Sequence, residues 1–129
     1  MDGKKKNLLI VEDDASLLEI LRDEFFKAGF NIKTAKDGVE GLKAAVSDPP
    51  ALILIDIFMP KMDGITMLQK IRETEVGKNI PAIILTNLND SENIQKALES
   101  GAYDFLVKSD WDPKDLVKRV QEKLGVGNS

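Results

Sequence analysis

Few groups in this 129-residue chain can do chemistry, because it contains neither cysteine nor histidine. Thiolate nucleophiles, cysteine zinc sites, imidazole bases and Ser-His-Asp triads are thereby excluded. Carboxylates, hydroxyls, lysines, main-chain groups and hard cations remain. Several of these residues share one kind of position, directly after a short aliphatic run. Glu12, Asp13 and Asp14 follow LLIV, Asp56 follows LILI, Thr86 and Asn87 follow AIIL, and Lys108 and Ser109 follow DFLV. Carboxylates brought together repel unless a counter-charge is present. A lysine supplies part of it, and Mg²⁺ suits the remainder, since it binds through one or two carboxylates and takes further ligands from phosphate. An aspartate beside such a cation and a lysine is a nucleophile toward phosphorus, giving an aspartyl-phosphate. An ammonium and a hydroxyl can then stabilise charge on the transferred group.

Each residue alone has a plainer role. Asp13 or Asp14 can cap a helix, Thr86 can be a strand-end hydroxyl, and Lys108 can be a surface lysine. Asp56 does not immediately precede a helix needing a cap. The chemical reading therefore depends on whether the fold brings these strand ends together.

The pattern alternates strand and helix five times. Expected strands are Leu8–Val11, Asn31–Ala35, Ala51–Ile55, Ile80–Leu85 and Asp104–Val107. The first, third and fourth are nearly continuous aliphatic runs, as in central parallel strands covered on both faces. The second, NIKTA, alternates like an edge strand. Leu17, Leu18, Leu21 and Phe25 mark a first helix that ends at Gly29; DDAS offers several N-caps, with Ser16 and Glu19 at capping-box spacing. Asp37 with Glu40 opens a second helix, closed by Pro49 and Pro50, and a third starts near Asp63-Gly64. A fourth starts near Asp90-Ser91, carries Ile94, Ala97 and Leu98, and stops at Gly101. The last has Asp112 as cap and Pro113 in its first turn. Short connections and alternating elements imply an α/β, flavodoxin-like (βα)5 doubly wound fold with a five-stranded parallel sheet in order 2-1-3-4-5. Ligands bind such sheets at the carboxyl ends of the strands, at the switch between strands 1 and 3. Glu12, Asp13 and Asp56 should crowd there, flanked by Thr86 and Lys108.

The composition, 43% hydrophobic and 31% charged, is that of one globular domain. No apolar run is long enough to span a membrane and no signal peptide is visible, so a cytoplasmic location is expected. A net charge of −4 argues against nucleic acid as a direct ligand. The expected layout is a domain over residues 7–125, a basic extension over residues 1–6 and a short tail over residues 126–129 with no output domain.

The segments LLIVEDD, LILIDIFMPKMDG, AIILTN and GAYDFLVKS together resemble a response-regulator receiver domain, with the D-x-x-M-P-x-M-D-G pattern the most specific part. The resemblance covers nearly the whole chain. It implies that Asp56 accepts a phosphoryl group from a histidine kinase or histidine phosphotransfer protein. It also implies that Mg²⁺ is held by Asp13, Asp56, the Phe58 main-chain carbonyl and Glu12, the last directly or through water. Lys108 would contact the phosphoryl group, and Thr86 with Phe105 would form the switch pair. A downstream protein would read the face of the fourth helix, fifth strand and fifth helix, where Lys96, Glu99 and Tyr103 are candidates. Met59-Pro60 would shape the loop, and Gly64 would let the chain turn tightly.

The chain departs from that pattern in four respects. Ser109 stands where proline with a cis bond is usual, Asn87 where a small residue is usual, and Phe105 where tyrosine is common. Phe58 and Leu88 are both bulky and apolar, and are expected to hinder the attacking water and prolong the phosphorylated state. Two rival readings use the same residues. One is a phosphorylation-independent receiver that acts as a binding module. The other is an aspartyl-phosphate phosphatase, against which Phe58 counts because it occupies the position of the general acid.

Overall fold

The structure, a computed structural model, describes residues 5–86, 91–108 and 112–126. The elements run β1 (Asn7–Val11), α1 (Ala15–Lys27), β2 (Asn31–Ala35), α2 (Gly38–Ser47), β3 (Leu52–Asp56), α3 (Gly64–Arg72), β4 (Ala82–Thr86), α4 (Ser91–Glu99), β5 (Asp104–Val107) and α5 (Pro113–Leu124). The sheet has five strands, all parallel, in the order β2-β1-β3-β4-β5. This is the expected flavodoxin-like arrangement.

Side-chain alternation along the strands divides the interior in two. Leu9, Val11, Ile53, Ile55 and Ile84 face the layer of α2, α3 and α4, where they meet Ala45, Leu68, Ile71 and Ala97. Leu8, Ile10, Leu54, Ile83 and Leu85 face α1 and α5, meeting Leu21, Phe25, Leu116 and Val120. Every residue of β3 and β4 is buried, whereas β2 at the edge buries only Ala35. Side chains of this size, each stabilised by roughly 1.5–3 kcal/mol on full burial, fix the sheet between its helices. Among the described residues no helix is long and apolar enough to cross a membrane.

Several boundaries differ from the sequence expectation, each for a local reason. The N-cap of α1 is Asp14, whose side chain accepts from the Ser16 and Leu17 amides; Ser16 lies inside the helix, so it forms no capping box with Glu19. Asp37 caps α2 by accepting from the Glu40 amide, but the Glu40 carboxylate returns to the Lys36 amide and not to Asp37. β4 begins at Ala82 and not at Ile80, because the Ile80 amide is turned to Gly77 and Pro81 has no N–H to give. Both β3 and β4 run one residue further than expected, so Asp56 and Thr86 are themselves the last strand residues. Leu98, expected on the buried face of α4, is 43% exposed. At α5, Asp112 and Asp115 form a full capping box on either side of Pro113.

Candidate functional site at the strand ends

The register decides which side chains meet. Val11 pairs with Ile55, so Glu12 and Asp56 follow next to each other, and Asp56 itself pairs with Leu85. Thr86 pairs with Val107, which places Lys108 beside it. The sheet thus carries Glu12, Asp13, Asp56, Thr86 and Lys108 to one edge. Carboxylate oxygens of Glu12, Asp13 and Asp56 lie within 4.8 Å of one another, with Glu12 and Asp56 buried and Asp13 exposed.

Glu12 is held from two sides. Its Oε2 accepts from the Asp14 amide at 3.1 Å and its Oε1 from Lys108 Nζ at 2.7 Å. The same Nζ lies 3.4 Å from Asp56 Oδ1, so the ammonium sits between two carboxylates and closer to Glu12. Asp56 is 3% exposed, and its Oδ1 has no hydrogen-bond partner. A buried carboxylate oxygen left in this state is costly. Burial first, then the neighbouring Glu12 and Asp13 charges, push the Asp56 pKa up from 3.8 to about 7, against the opposing pull of Lys108. One lysine therefore does not neutralise the cluster. An unsatisfied buried oxygen and two further carboxylates beside it fit a hard divalent cation such as Mg²⁺.

The loop after β3 is tight. The Met62 amide donates to the Pro60 carbonyl at 2.7 Å, and Lys61 between them has φ +68°, a left-handed conformation uncommon outside glycine. Phe58 is 52% exposed. Asp63 then caps α3 through the Thr66 amide and hydroxyl. Gly64, expected from the sequence to let the chain turn tightly, does not take a positive φ. Its amide donates to the Ile57 carbonyl at 2.8 Å, and a Cβ on it would overlap the Asp56 carbonyl oxygen. α3 is thus docked directly on the backbone of Asp56.

Thr86 is fully buried. Phe105 pairs with Ile84, two residues before Thr86, so Phe105 and Thr86 share a face of the sheet, and Phe105 packs half-buried against the α2–α4 core. Tyr103 is 50% exposed, with Lys123 Nζ 4.2 Å above its ring, and Lys96 and Glu99 are exposed on α4. Asn87, Leu88, Ser109 and the Lys108–Ser109 bond lie outside the described residues. Sequence reasoning missed the steric docking of Gly64 and the hold of Glu12 on Lys108. The first had only a glycine after Asp63 as a signal; the second had none, because the two residues are joined only by the fold.

Comparison with known proteins agrees with this arrangement. The family model described as "Response regulator receiver domain" matches residues 8–121. The DNA-binding response regulator MtrA of Mycobacterium tuberculosis is 36% identical over 124 residues, which cover 96% of this chain and 53% of MtrA. The chain spans about half the length of the curated relatives it matches first. Among solved structures, a CheY-like response regulator receiver domain protein from Methanospirillum hungatei is similar with a TM-score of 0.88 and 29% identity, covering 95% of each chain. The structure of a CheX–CheY–BeF3–Mg²⁺ complex from Borrelia burgdorferi includes a chain with a TM-score of 0.85 and 35% identity, covering 94% of this chain and 90% of that one.

Proposed function

This chain belongs to the response regulator receiver family, and on that premise we propose that it is a phosphorylation-driven switch whose acceptor is Asp56. The observation that carries the proposal is the buried Asp56 carboxylate, with an oxygen that accepts no hydrogen bond, set between Lys108, Glu12 and Asp13. Asp13, Asp56, the Phe58 carbonyl and Glu12 would hold Mg²⁺. The ion would keep Asp56 ionised and offset charge on the phosphoryl oxygens.

The chain's own residues account for the remaining steps. Asp56 attacks the phosphorus of a partner's phosphohistidine; the new O–P bond replaces the N–P bond and the imidazole leaves. Because this chain has no histidine, it is not itself the donor, and a histidine kinase or histidine phosphotransfer protein supplies the group. Lys108 turns from Glu12 to the phosphoryl oxygens, and the Thr86 hydroxyl donates to one of them. Phe105, on the same face, packs into the space Thr86 leaves and alters the surface of α4, β5 and α5 that a downstream protein reads. Moving such an equilibrium from mostly off to mostly on takes roughly 5 kcal/mol. The receiver unit is residues 7–125, and neither nucleic acid nor a membrane is a direct ligand of it.

Intact mass after incubation with Mg²⁺ and acetyl phosphate tests the acceptor. One phosphoryl group is expected on the parent and none on Asp56→Asn. An unmodified parent would instead favour the phosphorylation-independent binding module. Phe58 and Leu88 are further proposed to exclude the water that hydrolyses the aspartyl-phosphate. Phe58→Asn combined with Leu88→Glu should shorten the phosphorylated lifetime severalfold, and an unchanged decay of the mass adduct would sink this idea.

A further inference from the structure

The loop that carries the Phe58 carbonyl does not stand alone, because the first turn of α2 is packed against it. Within the loop the Met62 amide closes back on the Pro60 carbonyl, with Lys61 between them at φ +68°, the rarer and strained form of a three-residue turn. Lys61 is the only non-glycine residue with a positive φ among the described residues. On the α2 side, Gly38 has no positive φ, so its backbone conformation does not call for a glycine. The space around it does. A Cβ on Gly38 would overlap the Met62 carbonyl oxygen and lie 2.7 Å from Met62 Cβ and 2.8 Å from the Met62 carbonyl carbon. The turn at Lys61 thus rests closely on the main chain of α2, and the half-buried Met62 side chain joins the core layer of α2, α3 and α4.

Asp37 reaches the same turn with its side chain. It is buried, its Oδ1 accepts from the Glu40 amide at 2.8 Å as the helix cap, and its Oδ2 lies 3.7 Å from Lys61 Nζ. The cap fixes the carboxylate, so the exposed lysine has a stationary partner. An ion pair with one such exposed member contributes little to folding as a whole. Its effect is local: a non-glycine residue gives up free energy to hold a positive φ, and the pair favours the turn that Lys61 would otherwise leave.

We propose that Gly38, Asp37 and Lys61 are positioning residues for the divalent cation: the first turn of α2 seats the loop, the ion pair holds its strained turn, and the Phe58 carbonyl is thereby kept available to Mg²⁺. The inference rests on the phosphoacceptor reading above and adds to it what sets metal affinity. Groups that orient a metal ligand without touching the ion change affinity by about 10- to 100-fold. The charge of Lys61 gives the proposal a sign. By Coulomb's law alone, deleting an ammonium near an acidic metal site tightens the binding of Mg²⁺. Deleting a strut weakens it.

Calorimetric titration of the full chain with Mg²⁺ tests this. Urea unfolding in EDTA controls for stability, and labelling by acetyl phosphate, read as intact mass, controls for the acceptor. Lys61→Gln, a change at an exposed side chain, should keep the parental unfolding midpoint yet weaken Mg²⁺ about threefold, in keeping with the modest worth of an exposed pair. Asp37→Asn, which can still cap α2, should weaken it to a similar degree, and the double variant no further. Gly38→Ala should weaken it about tenfold. For Lys61→Gln and Asp37→Asn the labelling rate should return to the parental value at saturating Mg²⁺, because the acceptor itself is undisturbed. Unchanged or tighter Mg²⁺ binding by Lys61→Gln would overturn the proposal, and so would a folded Gly38→Ala that binds like the parent. If Gly38→Ala does not fold, Lys61→Gln and Asp37→Asn decide the matter. A parent that binds Mg²⁺ and is labelled, with variants that match it, overturns this inference alone. A parent that fails to bind Mg²⁺ or to be labelled overturns the phosphoacceptor reading and this inference with it.

Discussion

Asp56→Asn is expected to make the metal-free protein more stable at pH 8, by roughly 2–4 kcal/mol, while destroying its capacity to be phosphorylated. The cause is the burial of an incompletely compensated charge. Asp56 is 3% exposed, one of its oxygens accepts no hydrogen bond, and its pKa is raised from 3.8 to about 7. The sign follows from proton uptake. Between those two values the folded state binds more protons at this site than the unfolded state, so stability falls as pH rises. The contribution is therefore favourable in acid, is lost between about pH 4 and pH 7, and is level above that. Asparagine has nearly the same shape and no charge, so the difference between the two proteins isolates this one group. Urea unfolding in EDTA at several pH values should show the advantage of the variant growing up to neutrality. Mg²⁺ should then stabilise the parent and not the variant, because only the parent gains by pairing the buried carboxylate. A difference that is constant from pH 4 to pH 8 would mean that Asp56 is ionised freely throughout.

Gly64→Ala carries the second large effect, a loss of about 2–4 kcal/mol in stability. A methyl group there would overlap the Asp56 carbonyl oxygen, with Ile55 Cγ2 at 2.7 Å and the Asp56 carbonyl carbon at 3.0 Å. Two of these atoms are backbone of a central strand and cannot rotate away. The strain must be relieved either by lifting the first turn of α3, which breaks the Gly64 amide bond to Ile57, or by displacing Asp56 itself. In either case the acceptor moves relative to Lys108 and Glu12, and misplacement on the ångström scale slows a positioned reaction by about a hundredfold. Urea unfolding together with the rate of labelling by acetyl phosphate measures both consequences. A variant with parental stability and parental labelling rate would show that α3 is not rigidly seated on β3.

How much of this the residues announced varies with the kind of interaction. The central strands were plain because LLIV, LILI and AIIL have no polar residue to place on a wet face, and that fixes both the parallel sheet and the position of its crowded edge. Residues at the strand ends were legible for the same reason: Asp56 and Thr86 follow apolar runs that leave them nowhere else to point. Helix ends were less legible. Asp13, Asp14 and Ser16 all have capping chemistry, and only the path of the backbone selects Asp14. Features made across long stretches of chain were not legible at all. Lys108 bonding Glu12, and Arg72 holding the Gly101 carbonyl, depend on angles between elements that no local pattern encodes. An arginine in the last turn of a helix reads first as a surface charge favouring the helix dipole.

The strand order has a consequence for how the chain reaches this state. β1 lies between β2 and β3, so its two ladders close at different stages of synthesis. The first needs only α1 to form; the second must wait until α2 and β3 have been made, because β3 docks on the side that β2 leaves open. Until then a strand that is apolar from Leu8 to Val11 has a bare flank. Partners separated by a whole helix or more pay loop closure before gaining any contact, which places folding toward the slower end for a domain of this size. The β1-α1-β2 unit is complete in sequence before β3, β4 and β5 are made, so these strands can only add to it in turn. The interval before β3 arrives is when the nascent chain is most exposed to mispairing and most dependent on the polar character of β2 at the opposite edge.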